Sequence, residues 1–178
     1  MTTKINSYIL QDKTKNKMIE LTSRAIKIKT EYGFKLCLDK RDKNIRHGIP
    51  CKGKECYLDT TKSECKENEK YIGTFHAHHQ YTSIPSVQDL SDGYLSLMSC
   101  IGNFEGIKCF KRKKEDFDTS EYNEIRLVEN KEKFFRLERE RFDAHEITYT
   151  EFNEELKKYE KEINRLVDSY FRIIDIKK

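Results

Sequence analysis

The chain has 178 residues, long enough for one domain with a proper core, or for one small domain and an appendage. Its 36% apolar and 37% charged residues give a charge-rich surface, yet the apolar positions recur in periodic runs, which argues for a folded protein and against disorder. Acids and bases interleave to a net charge of only +4, which argues against a dedicated nucleic-acid binder.

The N-terminus, MTTKINSYILQDKTK, lacks an apolar signal core and a small-residue cleavage site, and no apolar run is long enough to cross a bilayer. The expected location is therefore the cytoplasm, with no membrane partner. Residues 15–29 read as a helix, with Met18, Leu21, Ala25 and Ile28 on one face. The period then changes: Phe34, Leu36 and Leu38 alternate with Lys35, Cys37 and Asp39, a strand pattern. Residues 41–70 are polar and are expected to hold loops and a strand or two. YIGTFHAH, residues 71–78, is β-branched and aromatic and reads as a buried strand.

A turn at TSIPS leads to a helix from Ser86 to about Met98, with Val87, Leu90, Tyr94 and Leu97 on one face. Two strands follow, joined by a turn at Asn103–Gly106, with Ile101, Ile107 and Cys109 half-buried. The basic run Lys111–Lys114 reads as a solvated strand end. This order predicts an α/β layered domain over residues 1–115.

Residues 116–178 differ in kind. A helix around Glu129–Phe142 carries Val128, Phe135 and Phe142 in step. From Thr148 onward, Phe152, Leu156, Tyr159, Ile163, Leu166, Tyr170 and Ile173 are spaced four and three alternately, and Thr148 with Glu151 makes a capping box. The period fits a C-terminal helical hairpin closing over the domain and equally a coiled-coil arm for dimerisation or for docking a partner protein.

The chemistry concentrates in residues 76–89. On a strand, i and i+2 share a face, so His76 and His78 aim at one point while His79 faces away. Two imidazoles and the Asp89 carboxylate, in the first turn of the next helix, form a three-ligand set of the kind a catalytic Zn²⁺ uses. Each part also has an ordinary reading: paired histidines on a strand are common, and Ser86-x-x-Asp89 is a usual helix N-terminal motif.

The full pattern, His76-x-His78-x7-Ser86-x2-Asp89, resembles the signature of the JAMM, or MPN-plus, zinc metallopeptidases. That family also carries a glutamate upstream, at the head of a strand after the first helix and close to a glycine; Thr30-Glu31-Tyr32-Gly33 stands there. The resemblance covers roughly residues 15–112 and implies an MPN-type, cytidine-deaminase-like layered fold around a central mixed sheet. It implies a zinc-dependent peptidase cleaving isopeptide or peptide bonds at the C-terminus of ubiquitin or a ubiquitin-like protein. Zinc on His76, His78 and Asp89 would activate water, Glu31 would serve as general base and then acid, and Ser86 would donate to the oxyanion. The chain keeps the small residue between the histidines, Ala77, but has His79 where the family has proline.

Two other functions compete with this one. A non-catalytic scaffold of the same fold, using its helical arm for complex assembly, has no need of the ligand set or of Glu31. A zinc deaminase needs H-x-E followed by P-C-x-x-C, which this order of residues does not supply. Among the six cysteines, Cys51, Cys56 and Cys65 with His47 suit a Cys₃His zinc site less well than disulfides or free thiols. Cys37, Cys100 and Cys109 are expected to act as small apolar residues in or beside strands.

Overall fold

Helix α1 (Asp12–Ile28) buries Met18, Leu21, Thr22 and Ala25 along one stripe, as the spacing predicts. It starts three residues earlier than expected. Ile28 stays 43% exposed, because the chain turns away at Lys29, whose φ of 52° ends the helix in the left-handed region. The structure, a computed structural model, describes residues 3–5, 8–53, 65–79 and 85–176. Short strands β1 (Thr3–Ile5) and β2 (Tyr8–Leu10) precede α1 and were not evident in the sequence.

Strand β3 (Tyr32–Asp39) is buried along its whole length, so both faces are covered and the predicted alternation reports only part of its environment. The polar region supplies β4 (Asn44–His47) and β5 (Cys51–Lys52), both antiparallel to β3. Strand β6 (Glu69–Ala77) runs antiparallel to β3 and ends one residue before His78. Helix α2 (Val87–Ser96) then crosses to β7 (Met98–Asn103), which lies parallel to β6 and forms the expected hairpin with β8 (Gly106–Arg112). Residues 82–84 of the predicted TSIPS turn lie outside the described residues.

The last third contains α3 (Thr119–Leu127), α4 (Glu129–Asp143), α5 (Tyr149–Tyr170) and β9 (Phe171–Ile176). The capping box of Thr148 and Glu151 is present at the head of α5. The predicted seam ends earlier than its period suggested: Ile173 belongs to β9, which pairs antiparallel with β8 and adds a strand to the main sheet. That pairing corrects the reading of the basic run. Lys111 and Arg112 are buried because β8 is not an edge strand; Lys111 lies over the Tyr8 ring, and Arg112 donates to the Tyr94 carbonyl at 2.7 Å.

The result is a mixed α/β fold around one curled sheet in the order β1-β2-β4-β3-β6-β7-β8-β9, with β5 on β3. Its faces hold two cores. Met18, Leu21 and Ala25 of α1 pack on Phe34, Phe75, Ala77 and Met98. On the other face Val87, Leu90 and Tyr94 of α2 meet Ile101, Phe110, Ile125 of α3 and Ile163, Leu166 and Val167 of α5. Helix α1 sits so close to the sheet that a Cβ on Gly102 would lie 2.1 Å from Thr22 Oγ1.

The cysteines are corrected as well. Cys37 bonds Cys65, and Cys100 bonds Cys109, so these strand cysteines are cross-links rather than apolar fillers. The hairpin register places Cys100 directly opposite Cys109, which is what lets their sulfurs meet. Cys51 is also disulfide-bonded, whereas Cys56 lies outside the described residues. His47 Nδ1 lies 2.9 Å from the Gly48 carbonyl oxygen, and among the described residues His47 belongs to no group of close metal-ligating atoms.

Candidate functional site

Period-two alternation on β6 sorts its side chains. Phe75 and Ala77 enter the α1 core, so Thr74, His76 and His78 are directed to the opposite face, where α2 begins. The His76 and His78 rings are 6.4 Å apart at 63°. Thr74 Oγ1 lies 3.0 Å from His76 Nε2, close enough to fix one ring nitrogen of that histidine. The His78 N–H donates to the Gly102 carbonyl at 2.8 Å, which holds the strand exit against β7 although the strand proper ends at Ala77.

Glu31 reaches the same place from β3. Tyr32 pairs with Ala77 and Gly33 with His76, so Glu31 stands level with His78 at the sheet end. Its carbonyl accepts the Gly53 N–H at 2.8 Å, and its side chain is solvent-exposed. From the other side, Ser86 caps α2. Its Oγ accepts the Asp89 N–H at 3.0 Å and donates to Asp89 Oδ2 at 2.7 Å, while the Ser86 N–H donates to the same oxygen at 2.9 Å. The ordinary helix-capping reading of this motif is thus present; it occupies Oδ2 and leaves Oδ1 without a hydrogen bond among the described residues.

Glu31, His76, His78, Ser86 and Asp89 all line one cavity of about 720 Å³. Burial pushes His76 below the ordinary imidazole range; Asp89 pulls the other way, His78 adds to the depression, and Asp92 and Glu31 oppose it more weakly. A neutral imidazole is the form that binds metal. The donor set, two imidazoles and a carboxylate oxygen on one cavity wall, therefore fits zinc in kind. It is not drawn together in distance. Among the described residues only Cys37, Cys65 and Glu69 have ligand atoms all within 4.8 Å of one another, and two of those are tied in a disulfide.

The opposite wall was missed by sequence reasoning. It comes from the helical hairpin of α4 and α5, through Glu132, Phe135, Arg136, Arg139, Phe142 and residues of α5. The expected partnership of these helices holds: Phe142 stacks on Phe152 at 4.8 Å, and Phe135 on Tyr159 at 4.8 Å. Glu132 is buried, pairs with Arg136 at 3.1 Å and accepts the Val87 N–H at 3.3 Å. Burial raises the Tyr159 hydroxyl well above its ordinary value, with Glu132 adding to the effect, so it stays protonated. The apolar period in α5 was visible, but no sequence signal told which edge of the seam would face a cavity. Asp92, one turn beyond Asp89, was also missed; burial raises its carboxyl, as does neighbouring Asp89, against a hydrogen bond from Gln88.

No protein-family profile, curated protein or solved structure matches the chain.

Proposed function

We propose that this chain is a zinc-dependent hydrolase that cleaves isopeptide or peptide bonds at the C-terminus of ubiquitin or a ubiquitin-like protein, on an MPN-type fold. The observation that carries the reading is that the five residues named by the family resemblance, from the end of β6, the head of α2 and the head of β3, line one cavity. His76, His78 and Asp89 would hold the ion, which supplies a Lewis acid that activates water and polarises the scissile carbonyl.

The chain's own residues have separable roles. The Glu31 carboxylate, level with His78, takes the proton from the attacking water and returns it to the leaving amine. Ser86 Oγ, which donates to Asp89 Oδ2 in this structure, turns its hydrogen toward the oxyanion as charge develops there. Thr74 orients His76. The aromatic wall of the hairpin limits water at the reacting carbonyl. Residues of the α4–α5 hairpin line the cavity, which favours a role at this site over one as a free arm of a non-catalytic scaffold.

The test is incubation of the purified protein with a panel of ubiquitin-like fusions and conjugates, with and without a zinc chelator. Release of the modifier that stops on chelation and returns with zinc supports the reading. Cleavage that ignores the chelator, or no cleavage of any member by zinc-loaded protein, contradicts it.

A further inference from the structure

The cavity has two chemically different sides. One carries the polar candidate catalytic groups; the other is an aromatic stripe, Phe142, Phe152, Phe135 and Tyr159, stacked in succession along the α4–α5 seam. These rings are half-buried, so each packs on its neighbour and still offers a face or an edge to the cavity. A surface of that kind accepts apolar side chains of a ligand that lies extended across it.

The charges beside the stripe single out one residue. Lys131 pairs with Glu162, Lys133 with Glu129, Arg136 with Glu132, and Arg141 with Glu138 and Glu146. Arg139 is the one basic side chain of α4 with no anionic partner among the described residues, and it lines the cavity. Asp143, one turn further on, also lines the cavity, and the two form no ion pair. An arginine without an intramolecular partner, exposed at the edge of a site, keeps its planar donor fork for a carboxylate brought by a ligand.

We propose that the α4–α5 hairpin is the substrate-recognition wall of this cavity, and that it selects an extended peptide segment carrying an apolar side chain and, near it, a carboxylate that Arg139 binds. The inference rests on the hydrolase reading for what happens next to that segment, but the binding it describes needs no turnover.

The experiment uses zinc-loaded Glu31→Gln protein and short fluorescein-labelled peptides, otherwise neutral and containing one leucine, in which a single Glu or Gln is moved along the chain. Binding is read by fluorescence anisotropy. At the favoured position the Glu peptide binds roughly three- to tenfold tighter than its Gln twin, and the gap narrows with salt. Arg139→Ala removes the gap, Arg139→Glu turns the preference toward a Lys peptide, and Arg141→Ala, altered on a side chain outside the cavity, preserves it. Equal affinity at every position, absence of binding, or a preference that survives Arg139→Ala overturns the proposal. Charge-selective binding by a protein whose wild-type form cleaves nothing would sink the hydrolase reading and leave this one standing. Cleavage without charge preference would do the reverse.

Discussion

Glu132 of α4 accepts a hydrogen bond from the Val87 N–H at the head of α2, 3.3 Å away and 45 residues apart in sequence. The first N–H groups of a helix have no partner within it, so this bond satisfies an otherwise orphaned donor beside Ser86. It also ties the C-terminal hairpin to the capping residue of the candidate site. Glu132→Ala is expected to cost ~1–3 kcal/mol in urea unfolding, because a buried N–H loses its partner. Turnover should fall with it, while zinc content stays that of the wild type.

Ser86 has two duties that one substitution separates. Ser86→Ala removes the cap of α2 and should lower stability by ~1 kcal/mol. The loss of an oxyanion donor should lower kcat by roughly 10²–10³-fold. Restoring stability with an osmolyte would recover the unfolding midpoint but not kcat; recovery of both would assign Ser86 to structure alone.

His76 gives the zinc-free protein a pH dependence whose sign follows from its depressed pKa. In the unfolded chain an imidazole takes a proton at about pH 6.5, whereas the folded protein holds His76 neutral to lower pH. The unfolded state binds more protons in that window, so stability is full above about pH 6.5 and is lost as pH falls toward the folded value. Urea midpoints in chelator at neutral and mildly acidic pH should show this decline. His76→Gln should flatten it.

The cross-links predict a response to reductant. Cys37–Cys65 closes a separation of 28 residues and Cys100–Cys109 one of 9. In the chain-entropy account these contribute about 3.6 and about 2.6 kcal/mol respectively. Alkylation of the denatured, unreduced protein should leave these four cysteines unlabelled, and reduction should lower the melting temperature markedly. Disulfides of this kind persist in oxidising surroundings, so the labelling pattern in cells bears directly on the expected cytoplasmic location.

The legible parts of the fold were those where one period ran uninterrupted. Met18, Leu21 and Ala25 revealed α1, and Phe135, Phe142 and Phe152 revealed the hairpin. Ile173 misled because a four-three spacing carried on past Tyr170 by chance, across a helix-to-strand change with no Gly or Pro to mark it. Lys111 and Arg112 misled because burial depends on β9, a partner that local composition does not reveal. In the site, strand alternation paired His76 with His78 and the spacing of Ser86 and Asp89 marked a helix start, whereas Glu31, 45 positions upstream of His76, was named only through the family resemblance. Glu132 and Arg139 were illegible, because a charged residue on a charge-rich helix has no distinguishing pattern until the tertiary fold turns one face inward.

The most direct test compares wild-type protein with Glu31→Gln, both purified with zinc, against the best-cleaved ubiquitin-like fusion, with zinc content measured on the same samples. Both proteins should carry about one zinc per chain, and Glu31→Gln should lose turnover by at least roughly 10²-fold, as expected for removal of a general base. Equal turnover in the two proteins, or a wild-type protein that binds no zinc while cleaving the fusion, would contradict this mechanism.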